Sequence, residues 1–136
     1  HLGRPDAKEA LRSKVLGGAT FVQTQYCFDH DTVRAYAETL QQCRDFDDCT
    51  FLVGIGPLAS AKQADWMRKN LWGVNIPDEL IERLDKSTDP SAEGLLICEE
   101  LIEKMMAMPA ISGVHLMGPN CEKKSAEIIS RFVTRA

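Results

Sequence analysis

The fold class of this 136-residue chain is decided by the stretch Gly17-Gly18-Ala19-Thr20-Phe21-Val22-Gln23-Thr24-Gln25-Tyr26-Cys27-Phe28-Asp29. It begins with two glycines, continues through β-branched and aromatic residues, and places an amide, Gln25, where a strand should end. An apolar strand that delivers a polar group at its carboxyl end is typical of parallel α/β barrels. The stretch therefore predicts a strand over about Thr20–Cys27 with a functional side chain at its end.

Two later stretches repeat this design, namely CTFLVGIGPL at residues 49–58 and ISGVHLMGPN at residues 111–120. Each is a short apolar run that ends in glycine and proline and is followed by a helical pattern. They predict strands over Thr50–Ile55 and Gly113–Met117. Strands separated by helices indicate a parallel sheet with right-handed crossovers. The predicted fold class is α/β, the C-terminal portion of a (β/α) TIM-type barrel with about three parallel strands and helices.

Helical periodicity precedes and follows the first strand. A helix is expected to begin at Pro5-Asp6 and to stop at Gly17-Gly18. Either Asp29 or Asp31 is placed to cap the next helix. The charged segment Arg44–Asp48 is predicted to be a surface loop. The inward face of the helix after the first strand is expected to carry Val33, Tyr36, Ala37 and Leu40.

Four helical patterns follow the second strand. Ser60 is placed to cap the first of them, and Pro77 suits the first turn of the next. Ser87 or Thr88 is expected to begin the longest helix, and the last helix is predicted over Glu122–Thr134. The residues expected at inward helical spacing are Leu80, Ile81 and Leu84, then Ala92, Leu95, Leu96, Cys98, Glu99, Ile102 and Met106, and finally Ile128, Ile129 and Phe132.

By its length the chain is a single domain over residues 1–136. Three parallel strands by themselves would leave two open sheet edges, which proteins normally cover or pair. We therefore expect a partial (β/α) barrel that is a fragment of a longer chain; the alternative is a short chain that completes itself by pairing. Either way, the open edges predict association as a homo-oligomer or with a partner subunit.

Composition excludes several classes of function. The formal net charge of −4, without a dense run of lysine and arginine, predicts no nucleic-acid partner. The longest apolar runs are of strand length, so no membrane span is expected. A basic segment followed by an apolar one does not open the sequence, so no secretion signal is expected. The five cysteines form no CxxC pair and are expected to be buried, reduced thiols of a cytoplasmic protein.

The candidate functional residues are side-chain amides, and the sequence shows no recognisable catalytic motif. The sequence contains no HExxH or GxSxG motif and no metal-ligand spacing, and His115 alternates with apolar residues as a barrel-lining histidine would. Gln25, Gln63 and Asn120 each follow or end a predicted strand. Amides at one end of a parallel sheet suit a flat heterocycle with alternating donors and acceptors, such as a pterin or a flavin. The alternative role for each amide is to solvate loop backbone.

Several of these motifs resemble the methylenetetrahydrofolate reductase family. The first segment matches through Lys14-Val15, Gly18-Ala19 and Thr24-Gln25-Tyr26, continuing to Phe28-Asp29. The second strand and the helices after it match through GIGPL at residues 54–58, KQA at residues 62–64 and Ile76-Pro77. Gly113-Val114-His115, continuing to Asn120, is similar to the family's last strand. The resemblance covers essentially the whole chain but only about the C-terminal half of a family barrel.

The resemblance implies a barrel that transfers a hydride from NADH or NADPH through a flavin, FMN or FAD, to 5,10-methylenetetrahydrofolate. By that match Gln25 would hydrogen-bond the pterin, Gln63 and Asn120 would help bind the folate, and Met67 would give an apolar contact. Lys14 matches a basic position near the flavin phosphate. The family's catalytic carboxylates belong to earlier strands, so catalytic residues are not predicted here, and this span alone is expected to be inactive.

Departures from the family pattern keep a second function open. Ala7, Ala10 and Ser13 stand where flavin-binding members tend to carry polar or basic side chains, and Asp6 lies one residue out of register. Cys121 occupies the position at which well-known members of the family have an arginine after the asparagine of the last strand. The alternative is a folate- or methyl-group-binding barrel, or a subunit, without flavin chemistry of its own.

Overall fold

The computed structural model describes residues 5–133. Three strands alternate with six α-helices, and a short 3₁₀ helix, Arg44–Phe46, precedes the second strand. The predicted helix end at Thr134 lies outside the described residues. The elements are α1 Ala7–Leu16, β1 Phe21–Tyr26, α2 His30–Gln41, β2 Thr50–Ile55, α3 Ala61–Asn70, α4 Asp78–Lys86, α5 Pro90–Met106, β3 Gly113–Leu116 and α6 Glu122–Val133.

The three strands form one parallel sheet in the order β1-β2-β3. Phe21 pairs with Thr50, and Leu52 pairs with Gly113, so the amino ends of the strands lie together and their carboxyl ends meet at the opposite edge. We call that edge the carboxyl rim. The predicted α/β class, the parallel pairing and the three strand positions are confirmed, with the limits of β1 and β3 differing by one residue.

The core lies between the sheet and the helices. Phe51, Val53 and Ile55 alternate along β2 and are nearly inaccessible to solvent, because this face of the sheet is covered by helices. The predicted inward face of α2 is confirmed, with all four of its residues buried. Asp29 is the residue that caps α2, since its carboxylate accepts hydrogen bonds from the backbone N–H groups of Asp31 and Thr32.

The prediction for the longest helix was wrong in its start and in part of its face. Asp89 caps α5 and Pro90 occupies the first turn, where a missing N–H costs nothing. Gly94 lies so close to β2–α3 backbone that a Cβ built there would come 1.7 Å from the carbonyl oxygen of Leu58. That approach sets the rotation of the helix. It buries Gly94, Ile97, Cys98, Leu101, Ile102 and Met105 and leaves Ala92, Leu96 and Met106 exposed.

Three smaller expectations are also corrected. The segment Arg44–Asp48 is not a plain surface loop, because its 3₁₀ turn buries Phe46 against α1 and α2. Ile129 of α6 is 51% exposed, and Ile128 alone is buried on that helix. All five cysteines are free, but only Cys98 is buried; Cys27, Cys43, Cys49 and Cys121 are partly exposed. Within residues 5–133, none of the helices is long and apolar enough to cross a bilayer.

Candidate functional site

The candidate site lies at the carboxyl rim, and its shape starts from an irregularity in β1. Gln23 pairs with Leu52, but the next paired residue, Tyr26, is opposite Gly54. Three residues of β1 therefore span two of β2, which is the geometry of a β-bulge. Because paired residues of a parallel ladder share a face, the bulge turns Tyr26 to the face that carries Gly54.

Thr24 fills the gap that the bulge opens in the ladder. Its hydroxyl oxygen accepts a hydrogen bond of 2.9 Å from the backbone N–H of Gly54, so that N–H is satisfied by a side chain instead of a strand carbonyl. The same hydroxyl lies 2.7 Å from the carbonyl oxygen of Gln25, to which it donates. The ladder resumes at Cys27, whose N–H donates to the Gly54 carbonyl. Thr24 thus stabilises the irregular backbone that presents Gln25.

Gln25 is exposed and its side-chain orientation is fixed by a local bond. The backbone N–H of Tyr26 donates to Gln25 Oε1 at 3.0 Å. Because an N–H group needs an acceptor, this bond assigns which amide atom is oxygen. The Gln25 amide nitrogen forms no hydrogen bond with any residue of the 5–133 span, so the side chain presents two N–H donors at the rim.

Gln63 has a structural role in the first turn of α3. Its backbone N–H donates to the Ser60 hydroxyl at 3.1 Å, and its Oε1 accepts from the backbone N–H of Ala59 at 2.6 Å. This reciprocal pair is close to a capping box and confirms Ser60 as the helix cap. Like Gln25, Gln63 uses its carbonyl oxygen for backbone, and its NH₂ group is the part that remains for a ligand.

Two concave regions flank the rim. One, of about 300 Å³, we call the rim cavity; it contains Gln63 and Met67. The other, of about 390 Å³, follows the open edge of β1, and we call it the edge groove; it contains Lys14 and Gln25. The walls of the rim cavity include Tyr26, Pro57, Gln63, Met67, Met117 and Cys121, and those of the edge groove include Lys14, Thr24, Gln25, Tyr26 and Trp72.

The structure therefore separates the residues that the sequence grouped together. Gln63 and the buried Met67 share the rim cavity, whereas Gln25 and the exposed Lys14 lie along the edge groove. Asn120 lines neither of these regions. It is exposed in the turn after β3 with a φ of 54°, a left-handed conformation that asparagine adopts more readily than most residues. This backbone conformation is sufficient to explain why an asparagine occupies the turn, with no ligand contact required.

Tyr26 is the rim residue for which sequence reasoning gave no role. It lines both the rim cavity and the edge groove, so the two regions meet at this residue. Burial raises the pKa of its phenol above the ordinary value of 10.0, and the neighbouring Cys121 thiol raises it further. The phenol is therefore neutral at physiological pH. One feature of the sequence could have indicated a role for it. Tyr26 is an aromatic residue at the end of its strand, whereas the ends of the other two strands contain glycines that leave room for its ring.

Glycines make room at the rim. A Cβ on Gly56 would lie 2.0 Å from the carbonyl oxygen of Met117 and 3.2 Å from the Tyr26 ring. One on Gly54 would lie 2.7 Å from the Thr24 carbonyl oxygen. Side chains at these positions would collide with backbone, so the glycines of the second strand end are required by close approach. They let the β1 bulge and the β3 end converge.

A third concavity lies at the other end of the sheet and holds none of the candidate residues. It measures about 430 Å³ and is formed around Leu11, Phe46, Phe51 and Ser112, near the amino ends of the strands. In parallel α/β barrels, ligands bind at the carboxyl ends of the strands. We therefore place the candidate site at the rim, although the cavity there is smaller.

Comparisons with known proteins agree with this architecture. A sequence model described as methylenetetrahydrofolate reductase matches residues 5–133. Among solved structures, an uncharacterized protein from Clostridium thermocellum that binds two copies of 5-methyl-5,6,7,8-tetrahydrofolic acid has a similar fold, with a TM-score of 0.73 and 14% sequence identity. The match covers 100% of this chain and 51% of that chain, so this chain spans about half the length of the protein it resembles.

Proposed function

The chain belongs to the methylenetetrahydrofolate reductase family, and from this premise we propose that it forms the C-terminal part of a (β/α) barrel that reduces 5,10-methylenetetrahydrofolate to 5-methyltetrahydrofolate. The observation that carries the folate-binding part is the pair of amide donors at the rim, on Gln25 and Gln63, whose oxygens are held by backbone N–H groups. Fixed donors recognise the carbonyl and ring-nitrogen acceptors of a pterin. The folate-bound structural neighbour supports the same ligand class.

In this proposal each rim residue has a defined task. Gln25 donates its N–H groups to the pterin, and Gln63 donates to the part of the folate that lies over α3. Met67, which is 7% exposed, gives the rim cavity an apolar wall. Asn120 shapes the turn that bounds the site, and a direct contact to the folate is proposed for it from the family match alone.

The reduction needs a hydride equivalent, which we propose comes from NADH or NADPH. A flavin, FMN or FAD, would relay that hydride when bound. Within residues 5–133, the part of the edge groove on α1 offers one cation, Lys14, next to Ala7 and Ala10. A flavin phosphate is normally held by several converging donors, and this set does not provide them. We therefore assign no step of the reaction to flavin in this chain.

This poor fit favours a second candidate function, a folate- or methyl-group-binding barrel or subunit without flavin chemistry of its own. It would share the rim and the amides but would not oxidise nicotinamide. Flavin absorbance of the purified intact protein separates the two functions. Bound flavin together with nicotinamide oxidation supports the reductase, and folate binding without either supports the alternative.

We also propose that residues 1–136 are part of a larger barrel. Both outer edges of the three-stranded sheet are unpaired in this span, and Phe21 on β1 is 54% exposed. Additional strands, from the same polypeptide or from a partner subunit or second copy, would cover such edges. A barrel completed in this way would also supply the acidic groups expected from earlier strands.

The test of folate binding is Gln25→Glu in the intact protein, with 5-methyltetrahydrofolate affinity measured by calorimetry. Glutamate keeps an oxygen for the Tyr26 N–H but loses both N–H donors. We expect binding to weaken by about 1–3 kcal/mol, or roughly fivefold to more than a hundredfold, because the pterin acceptors lose their partners.

The matched control is Gln42→Glu, which adds the same charge at an exposed position after α2. It should leave the affinity unchanged. Equal affinities for the wild type and Gln25→Glu would contradict the assignment of Gln25 to the pterin.

A further inference from the structure

Tyr26 separates two regions that one extended ligand would have to cross. The edge groove contains Gln25, and the rim cavity contains Gln63 and Met67. Tyr26 lines both. A folate has a flat pterin joined to an aminobenzoyl-glutamate arm, so a molecule that engages both glutamines must pass over the Tyr26 side chain.

The Tyr26 ring is packed against neighbouring residues in that position. It stacks on Phe28, with ring centroids 5.7 Å apart and an interplanar angle of 13°, and Phe28 is itself only 1% exposed. A Cβ on Gly56 would lie 3.2 Å from the ring, which is a tight contact, and one on Gly118 would lie 3.4 Å from the phenol oxygen, which is an ordinary one. An aromatic side chain that is already ordered loses little entropy when it binds a ligand.

The phenol is chemically prepared to contact a neutral ligand. Within the described span its hydroxyl forms no hydrogen bond to another residue, although it reaches into a region lined by Cys121 and Gln63. Burial keeps the group protonated, so it can both donate and accept. The backbone N–H of Tyr26 also holds Gln25 Oε1, so the same residue orients the amide that presents the pterin donors.

We propose that Tyr26 is a ligand-contacting and specificity-determining residue, whose ring supports a bound folate and whose hydroxyl hydrogen-bonds it where the pterin joins the arm. This inference rests on the proposed folate-binding function and deepens it. It assigns to Tyr26 the selection of an intact folate over an isolated pterin.

The experiment compares wild type, Tyr26→Phe and Tyr26→Leu as intact proteins, using 5-methyltetrahydrofolate and a tetrahydropterin without the aminobenzoyl-glutamate arm. Loss of one neutral hydrogen bond in Tyr26→Phe should weaken folate binding about threefold to tenfold. Loss of the ring surface as well in Tyr26→Leu should weaken it by about thirtyfold or more. Affinity for the pterin alone should fall less, so the preference for the folate should shrink by about fivefold in Tyr26→Leu.

The control is Thr39→Val, which removes a hydroxyl that bonds the Ala35 carbonyl within α2, far along the helix from the rim. It should leave both affinities unchanged. Thermal unfolding of every variant shows whether the fold is intact, and Tyr26→Phe keeps the stacked ring for this reason. Since the phenol is neutral, the Tyr26→Phe effect should be constant between about pH 6 and pH 9.

Each result distinguishes the two proposals. The role of Tyr26 would be overturned if the wild type binds folate, Tyr26→Phe binds it equally well, and Tyr26→Leu keeps the same preference for the folate over the pterin. The proposed folate-binding function would then still stand. A folded wild-type protein that binds neither 5-methyltetrahydrofolate nor the pterin would overturn the proposed function and this inference with it.

Discussion

The α3–α5 region and the α1–β1 edge are built from similar sequence patterns but are packed very differently. Helix α5 buries six of its residues, whereas α1 buries one, Leu11. Leu16 and Phe21 at the α1–β1 edge are 63% and 54% exposed. The difference indicates that α5 contributes far more buried surface than α1, while half of the candidate site lies on an edge with little packing of its own.

The comparison is tested most strongly by leucine truncation in each region. Leu84 of α4 is fully buried, so Leu84→Ala should cost about 3 kcal/mol of unfolding free energy through lost burial and the cavity that remains. Leu16→Ala removes the same atoms from an exposed site and should change stability by less than about 0.5 kcal/mol. Urea unfolding measures both. Similar losses in the two variants would show that α1 is packed in solution.

A second prediction concerns the close contact between α5 and the end of β2. Gly94→Ala places a methyl group against the Leu58 carbonyl, and we expect about 2 kcal/mol of destabilisation. Helix propensity acts in the opposite direction, by about 1 kcal/mol in favour of alanine, so an observed loss isolates the steric effect. In the control, Gly113→Ala, the methyl group meets only the end of the Leu52 side chain. A stabilised Gly94→Ala protein would mean that the helix lies farther from the sheet.

The smallest expected effect concerns a bond that joins the two regions. Asn75, in the loop after α3, donates to the Asp29 carboxylate at 3.0 Å. Burial raises the pKa of Asp29, but hydrogen bonds from Thr32, Asn75 and Asp31 outweigh it, and the pKa is lowered below 3.8. The stabilising contribution of the carboxylate is therefore complete above about pH 4 and is lost as pH falls through the folded-state pKa.

Asn75→Ala should accordingly cost about 0.5 kcal/mol at pH 6 and progressively less below pH 4, as measured by urea unfolding at a series of pH values. Asn70→Ala is the control, because the Asn70 side chain donates to the Trp66 carbonyl and not to a carboxylate. Its effect should not vary with pH. A cost for Asn75→Ala that stays constant down to pH 2 would separate Asn75 from the titration of Asp29.

Local sequence was sufficient for the strands and for α2. Apolar runs that end in glycine and proline define a strand without reference to the rest of the chain, and Asp29 caps the next helix through its own neighbours. The rotation of α5 was not predictable in this way. It depends on Gly94 meeting Leu58, a contact between residues distant in sequence.

The candidate site was predicted in its location but not in its internal arrangement. Gln25 and Gln63 lie near the rim as expected, yet they line different cavities. Their separation follows from the bulge between Gln23 and Tyr26, which exists only as a relation between β1 and β2. The same bulge pairs Tyr26 with Gly54. Alternation along β1 accounts for the partial burial of Tyr26 but not for this pairing.

The glycines at the second strand end have a consequence for how this gene tolerates change. Every missense codon change at Gly54 or Gly56 adds at least a Cβ, and each would bring that atom into collision with backbone. Both positions should therefore be depleted of variants in a population or a mutational library, even under selection for folding alone. If these two glycines do not vary, the reason is the close approach of the backbone and not contact with a ligand. A survey that treats every invariant residue as a ligand contact would therefore assign them the wrong role.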